Sequence, residues 1–198
     1  DAEEPTQLPE FEKMTPEEAL NAILQMQASN TIEAMEANSK TQPDNEGDAE
    51  MDGDIEKETD LREALIKLYQ STGGDNWTNN TNWCSDKPIE EWYGVVRDDN
   101  GKYQLKLDNN NLTGKIEQTF PDDLIRLNCS SNQLTSLDVS GCTSLLYLSC
   151  SANQLTSLDV SGCTSLYDLD CSSNQLTSLN VTSCTALEIL SCHFNQLT

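Results

Sequence analysis

The sequence predicts a repeat solenoid with a parallel β-sheet on its concave face, short non-helical returns, a helical cap before the first rung and an acidic helical leader. Three observations carry this. From Leu124 onward the chain repeats every 21 residues, with Leu124, Leu145, Leu166 and Leu187 each opening a unit, and an internal period of roughly 20 to 50 residues is the mark of a solenoid. Cysteine and asparagine recur at fixed places inside each unit. Charge also divides the chain: residues 1–60 carry 18 acidic and 3 basic side chains, residues 61–198 carry 16 and 8.

The first part, residues 1–60, reads as an acidic leader. Thr15-Pro16-Glu17-Glu18 is a helix start, with Thr15 as N-cap, Pro16 at the first helical position and Glu18 placed for a capping box. Leu20, Ile23 and Leu24 then form a narrow apolar stripe, and the helix is expected to reach Ala28 or Met35. Ser39 to Glu58 is polar, acidic and almost without residues to bury, the composition of a solvated linker. Within it Asp48-x-Glu50-x-Asp52-Gly53-x-Ile55 matches the first half of a calcium loop. Position twelve is Thr59, not the bidentate glutamate such a loop needs, so no metal site is assigned.

The second part, residues 61–103, reads as an N-terminal cap. Asp60-Leu61-Arg62-Glu63 signals a helix start, Leu61, Ala64, Leu65 and Leu68 lie at helical spacing, and Gly73-Gly74 is the stop. Trp77, Trp83 and Trp92 fall close together and form an aromatic plug. Tyr93 to Val96 and Lys102 to Leu107 flank Asp98-Asp99-Asn100-Gly101, a hairpin turn.

Residues 104–198 form the repeats, a degenerate first rung followed by units from 124, 145, 166 and 187. The unit reads Leu124-x-x-Leu127-x-Cys129-x-x-Asn132-x-Leu134-x-x-Leu137-x-Val139-x-x-Cys142. This pattern resembles the leucine-rich repeat, with Cys where that family usually has its third Leu, and the resemblance implies an α/β-type leucine-rich-repeat solenoid. Leu105-x-Leu107-x-x-Asn110-x-Leu112-x-Gly114-x-Ile116 is similar to the family's plant-like variant. Leu65, Tyr69, Gly73, Trp77, Trp83 and Trp92-Tyr93-Gly94-Val95 resemble the cap preceding such rungs in plant and bacterial surface proteins. A lone unit has too little to bury to fold by itself, so stability comes from stacking. The return Thr-Ser-Leu-Asp-Val-Ser is too short for a full helix and is expected to run extended or in a 3₁₀ turn.

Composition excludes several functions. With 34 acidic residues against 11 basic, a net charge of −23, the chain is unsuited to nucleic acid or an anionic membrane surface, both of which need clustered Lys and Arg. No apolar run approaches the roughly 18 residues of a spanning helix. His193 is the only histidine, which excludes paired-histidine zinc sites and leaves Ser-His or Cys-His chemistry a single ring. No enzyme activity, cofactor or metal is expected.

Seven of the eight cysteines fall on two inward ladders, Cys129, Cys150, Cys171 and Cys192, and Cys142, Cys163 and Cys184. In-register neighbours would stand at about the rung spacing, beyond the ~3.8 Å that disulfide Cβ atoms prefer, so they read as buried free thiols. Cys84, alone in the cap, is the one to check for reactivity. Asn110, Asn132, Asn153, Asn174 and Asn195 form a structural ladder satisfying main-chain groups at the turn after each strand.

The outward strand positions are those able to recognise a partner. One column is Gln104, Arg126, Tyr147, Asp168 and Ile189, the next Lys106, Asn128, Ser149, Asp170 and Ser191, the third Asp108, Ser130, Ser151, Ser172 and His193. The first column changes chemistry at every rung. Arg126, Tyr147 and Asp168, with Asp170 and His193 beside them, are the expected ligand contacts, since an aromatic flanked by opposite charges anchors and orients a partner. The expected function is an interaction module that binds a protein or peptide, with a glycan as a possible ligand, and the resemblance of cap and repeats to surface proteins implies display outside a bacterial cell. The alternative is an assembly protein that forms homo-oligomers through an open C-terminal edge.

Overall fold

The computed structural model describes residues 48–198, with side chains from Thr59 onward. Residues Ala49–Thr198 form one unit, the solenoid with its preceding helix. The helix expected from Thr15 and the first part of the expected linker lie outside the described residues.

Helix α1 spans Asp48–Ser71. It therefore begins twelve residues before the capping pattern at Asp60, and the stretch to Glu58 is helical where a linker is expected. Ala, Met and Glu have good intrinsic helix propensity, and acidic residues in the first turn suit the helix dipole. The half-match to a calcium loop at 48–59 is thus helix, not loop. Leu61, Ala64, Leu65, Ile66 and Leu68 are buried. At the C-terminus Thr72 Oγ1 donates to Leu68 O at 2.6 Å, and Gly73 takes the left-handed conformation that glycine adopts without strain.

The aromatic plug follows. Tyr69 meets Trp77 edge-on at 5.3 Å and stacks on Trp83 at 6.1 Å, and Trp83 lies 4.8 Å from Trp77 and 5.3 Å from Trp92. Each indole N–H finds a carbonyl: Trp77 on Thr72, Trp83 on Tyr93, Trp92 on Lys87. Arg62 closes the plug over the Trp92 ring and donates to the carbonyls of Ser85 and Lys87. Buried polar atoms cost little when partnered in this way.

Strands β1 (Val95–Arg97) and β2 (Tyr103–Lys106) form the expected hairpin, Val95 opposite Leu105. Gly94 is required before it, because a Cβ there would meet Lys106 O at 2.3 Å. On its other side β2 pairs in parallel with β4 (Leu124–Asn128), then β6 (Tyr147–Ser149), β8 (Asp168–Asp170) and β9 (Ile189–Ser191) continue the sheet. Its order is β1-β2-β4-β6-β8-β9. From β4 on the register advances 21 residues per strand, Arg126 to Tyr147 to Asp168 to Ile189.

The returns run extended and pair as a second parallel sheet, β3 (Thr113–Ile116), β5 (Gln133–Asp138) and β7 (Ser157–Asp159). The rungs are therefore turns of a parallel-strand solenoid with the expected non-helical returns, and among the described residues helix is confined to α1 and short 3₁₀ turns. Extended returns let the main chain of one turn pair with that of the next, as Val139 N donates to Asp159 O at 3.0 Å. Between the sheets lie Leu105, Leu127, Leu148 and Leu169, with Leu134, Leu155 and Leu176 and the two cysteine ladders. The last strand differs, with Leu190 exposed at 43% where Leu169 is at 0%.

Candidate functional site

Inward positions are fixed by the ladders. Asn153 Oδ1 accepts from Leu134 N at 2.9 Å, while its Nδ2 donates to Cys129 O at 2.9 Å and Cys150 O at 3.1 Å. Asn132, Asn174 and Asn195 repeat this on their rungs. Asn110 turns it toward the cap, bonding both N and O of Asn79. The residue before each ladder asparagine has positive φ: Asn109, Ser131, Ala152, Ser173 and Phe194. These side chains are internal scaffold.

The inward cysteines from Cys129 to Cys184 are buried. Burial pushes the Cys129 thiol up to about 12 and Cys171 up to about 11. Cys84 is not poised for chemistry either, as burial, with the Asp75 charge adding to it, raises it to about 11. Such thiols stay protonated near neutral pH and are poor nucleophiles. Among the described residues, no cluster of three or more His, Cys, Asp or Glu is placed to hold a metal ion, and no helix is long and apolar enough to cross a membrane.

The outward columns form a groove of about 490 Å³ on the concave sheet, lined among others by Lys106, Arg126, Asn128, Tyr147, Asp168 and Asp170. The register brings Arg126, Tyr147 and Asp168 side by side on successive strands. The Arg126 guanidinium carbon sits 4.0 Å above the Tyr147 ring, within the range of a cation–π contact. Tyr147 in turn meets Tyr167 at 6.2 Å. Asp170 Oδ1 accepts from the backbone N–H of Ser172 and from its hydroxyl at 2.6 Å. Partial burial raises the Asp170 pKa, but the bonds from Ser172 and Ser151 and the nearby His193 outweigh it and leave the carboxyl below its ordinary value. His193 itself is exposed beyond the groove, its ring against Phe194 at 5.0 Å.

Two residues escape a reading confined to the most variable column. Lys106 lines the groove one rung before Asn128. Tyr167 supports Tyr147 from the strand's entry, in a column of Ile125, Leu146, Tyr167 and Glu188 that the same 21-residue period exposes. A larger recess of about 890 Å³ lies between α1 and residues 114–121. Its cations are already matched, Lys67 with Glu63 and Lys115 with Glu117, which makes the concave groove the stronger candidate.

No family model and no curated protein matches the chain. A solved structure described as the functional domain of InlJ from Listeria monocytogenes, which includes a cysteine ladder, is 36% identical over 48% of this chain and 26% of that one, at a TM-score of 0.38. The chain thus spans about a quarter of that structure's length. The 21-residue turns and parallel sheet make this chain a parallel-strand solenoid, an architecture that a leucine-rich-repeat-like protein fits.

Proposed function

We propose that the chain is a non-enzymatic interaction module whose concave sheet, through Arg126, Tyr147, Asp168 and Asp170, binds a protein or peptide. The observation that carries this is the groove itself: a repetitive scaffold with committed inward positions presents a cation, an aromatic and a carboxylate on adjacent strands. Such mixed, partly buried clusters dominate protein recognition. On this reading residues 1–60 are a spacer, 61–103 close the stack and 104–198 present the binding surface. Display outside a bacterial cell follows from the resemblance of cap and repeats to surface proteins. Affinity capture with the full chain, beside a variant carrying Arg126→Ser, Tyr147→Ser and Asp168→Ser, tests the proposal. A defined partner retained by the first and lost by the second supports it; equal retention overturns it.

A further inference from the structure

In so acidic a chain, where the cations sit is informative. Among the residues whose side chains are described, Lys67, Lys87, Arg97, Lys102 and Lys115 each pair with a carboxylate, and Arg62 is held by two carbonyls. The remaining two are Lys106 and Arg126. Neither makes an ion pair or a side-chain hydrogen bond, and Arg126 rests on Tyr147 through its ring face alone. Both line the concave groove. A guanidinium stacked on a ring keeps its edge donors outward, in the fork that matches a carboxylate.

The other end of the groove has the opposite sign. Asp168 and Asp170 lie on β8, two strands beyond Arg126. With rungs about 4.8 Å apart, Arg126 to Asp168 spans about 10 Å and Lys106 to Asp170 about 14 Å. We propose that the ligand of this face is an extended peptide segment carrying a carboxylate and a cation three or four residues apart. Lys106 and Arg126 receive the carboxylate, and Asp168 and Asp170 receive the cation. This rests on the concave-face reading above and names its ligand. At about 3.3 Å per residue, three or four residues of extended chain cover this spacing. A polyanion, including an acidic glycan, is repelled by the carboxylates at one end, and a polycation by Lys106 and Arg126 at the other. Polypeptide is the ligand class that carries both signs at so short a spacing. Asp108, which accepts from Asn128 Nδ2 at 3.0 Å, adds a carboxylate below Lys106 and leaves Arg126 as the principal anion contact.

The test uses the full chain and three labelled Gly/Ser peptides of equal length, carrying Glu and Lys about four residues apart, two Glu, or two Lys. Fluorescence anisotropy at low salt is expected to show the mixed peptide binding at least about tenfold tighter than either like-charged one, weakening as salt rises. Lys106→Gln with Arg126→Gln should shift preference toward the two-Lys peptide, and Asp168→Asn with Asp170→Asn toward the two-Glu peptide. Equal binding of all three, no binding at millimolar peptide, or a preference unmoved in both variants overturns the charge assignment. The triple Ser variant tells the two failures apart. If it loses the mixed peptide while the charge variants keep their preference, the face stands and the assignment falls; if it binds as well as the parent chain, both fall.

Discussion

The Arg126 guanidinium lies 4.0 Å above the ring of Tyr147, its neighbour on the next strand. The contact joins two rungs that differ at four of their 21 positions, at the column where the change in chemistry is greatest. It holds a long flexible cation in place before any ligand arrives, lowering the entropic cost of binding. A double-mutant cycle of Arg126→Gln and Tyr147→Leu, followed by urea unfolding, is expected to give a coupling of about 0.5–1 kcal/mol, as for partly exposed cation–π pairs. Additive effects would show that the guanidinium is not held by the ring.

The asparagine ladder predicts a graded series. Asn153→Ala leaves Leu134 N–H buried without an acceptor and removes a donor from Cys129 O and Cys150 O. Each stranded buried group costs about 1–3 kcal/mol, so a loss of about 2–4 kcal/mol in urea unfolding is expected. Asn195→Ala, in a half-buried site with the same partners one rung pair on, should cost less. Equal losses at both would mean that burial does not set the cost.

Much of this was legible because a parallel stack repeats its sequence in register. Once the 21-residue period is seen, Arg126, Tyr147 and Asp168 must be neighbours. What the period does not encode is harder to read. Lys102 finds Asp123 and Arg97 finds Glu90 through the fold of the hairpin, so the two cations left over become apparent only in three dimensions. Cys84 reads as a candidate thiol by its isolation, yet burial, with the Asp75 charge adding to it, raises its thiol to about 11. The start of α1 at Asp48 was hidden because a run of acidic residues marks a linker by composition while favouring a helix at its N-terminus.

Ala152 takes φ of +53° on the surface, with Asn153 beside it fixing the turn. A left-handed conformation costs a non-glycine residue about 1–2 kcal/mol, partly offset by the greater freedom of glycine in the unfolded chain. Ala152→Gly is therefore expected to raise stability by about 0.5–1 kcal/mol. Gly162→Ala should lower it, since φ is +78° and a Cβ there would sit 3.2 Å from the Gly141 backbone. Thermal unfolding of the two variants checks both signs.

Asp170 has its carboxyl below the ordinary value: partial burial raises it, and the bonds from Ser172 and Ser151 with nearby His193 more than offset that. A group depressed in the folded state stabilises it above the unfolded pKa, about 4, and that contribution is lost as pH falls through the folded value. The difference in urea midpoint between the parent chain and Asp170→Asn should be greatest near neutrality and shrink below about pH 4. A difference that persists unchanged at low pH would assign the effect to shape and not to charge.

The cysteine ladders give the last prediction. Cys129, Cys150, Cys163 and Cys171 are buried, and burial raises each thiol, Cys163 to about 12 with its neighbours Cys142 and Cys184 adding to it. Attack on a disulfide reagent needs both a thiolate and a path to the sulfur, and the stack denies these residues both. Cys192, half-buried on β9's rung, has a more open path than the buried ladder thiols. Titrating the native protein with an aromatic disulfide at pH 7.5 should therefore modify Cys192 first, Cys84 slowly because its thiol stands near 11, and the ladder at the rate of unfolding. Denaturant should release all eight thiols at once. Peptide mapping that finds Cys150 labelled as fast as Cys192 would show that the rungs open locally, since a closed stack makes the inner thiols wait for the whole array.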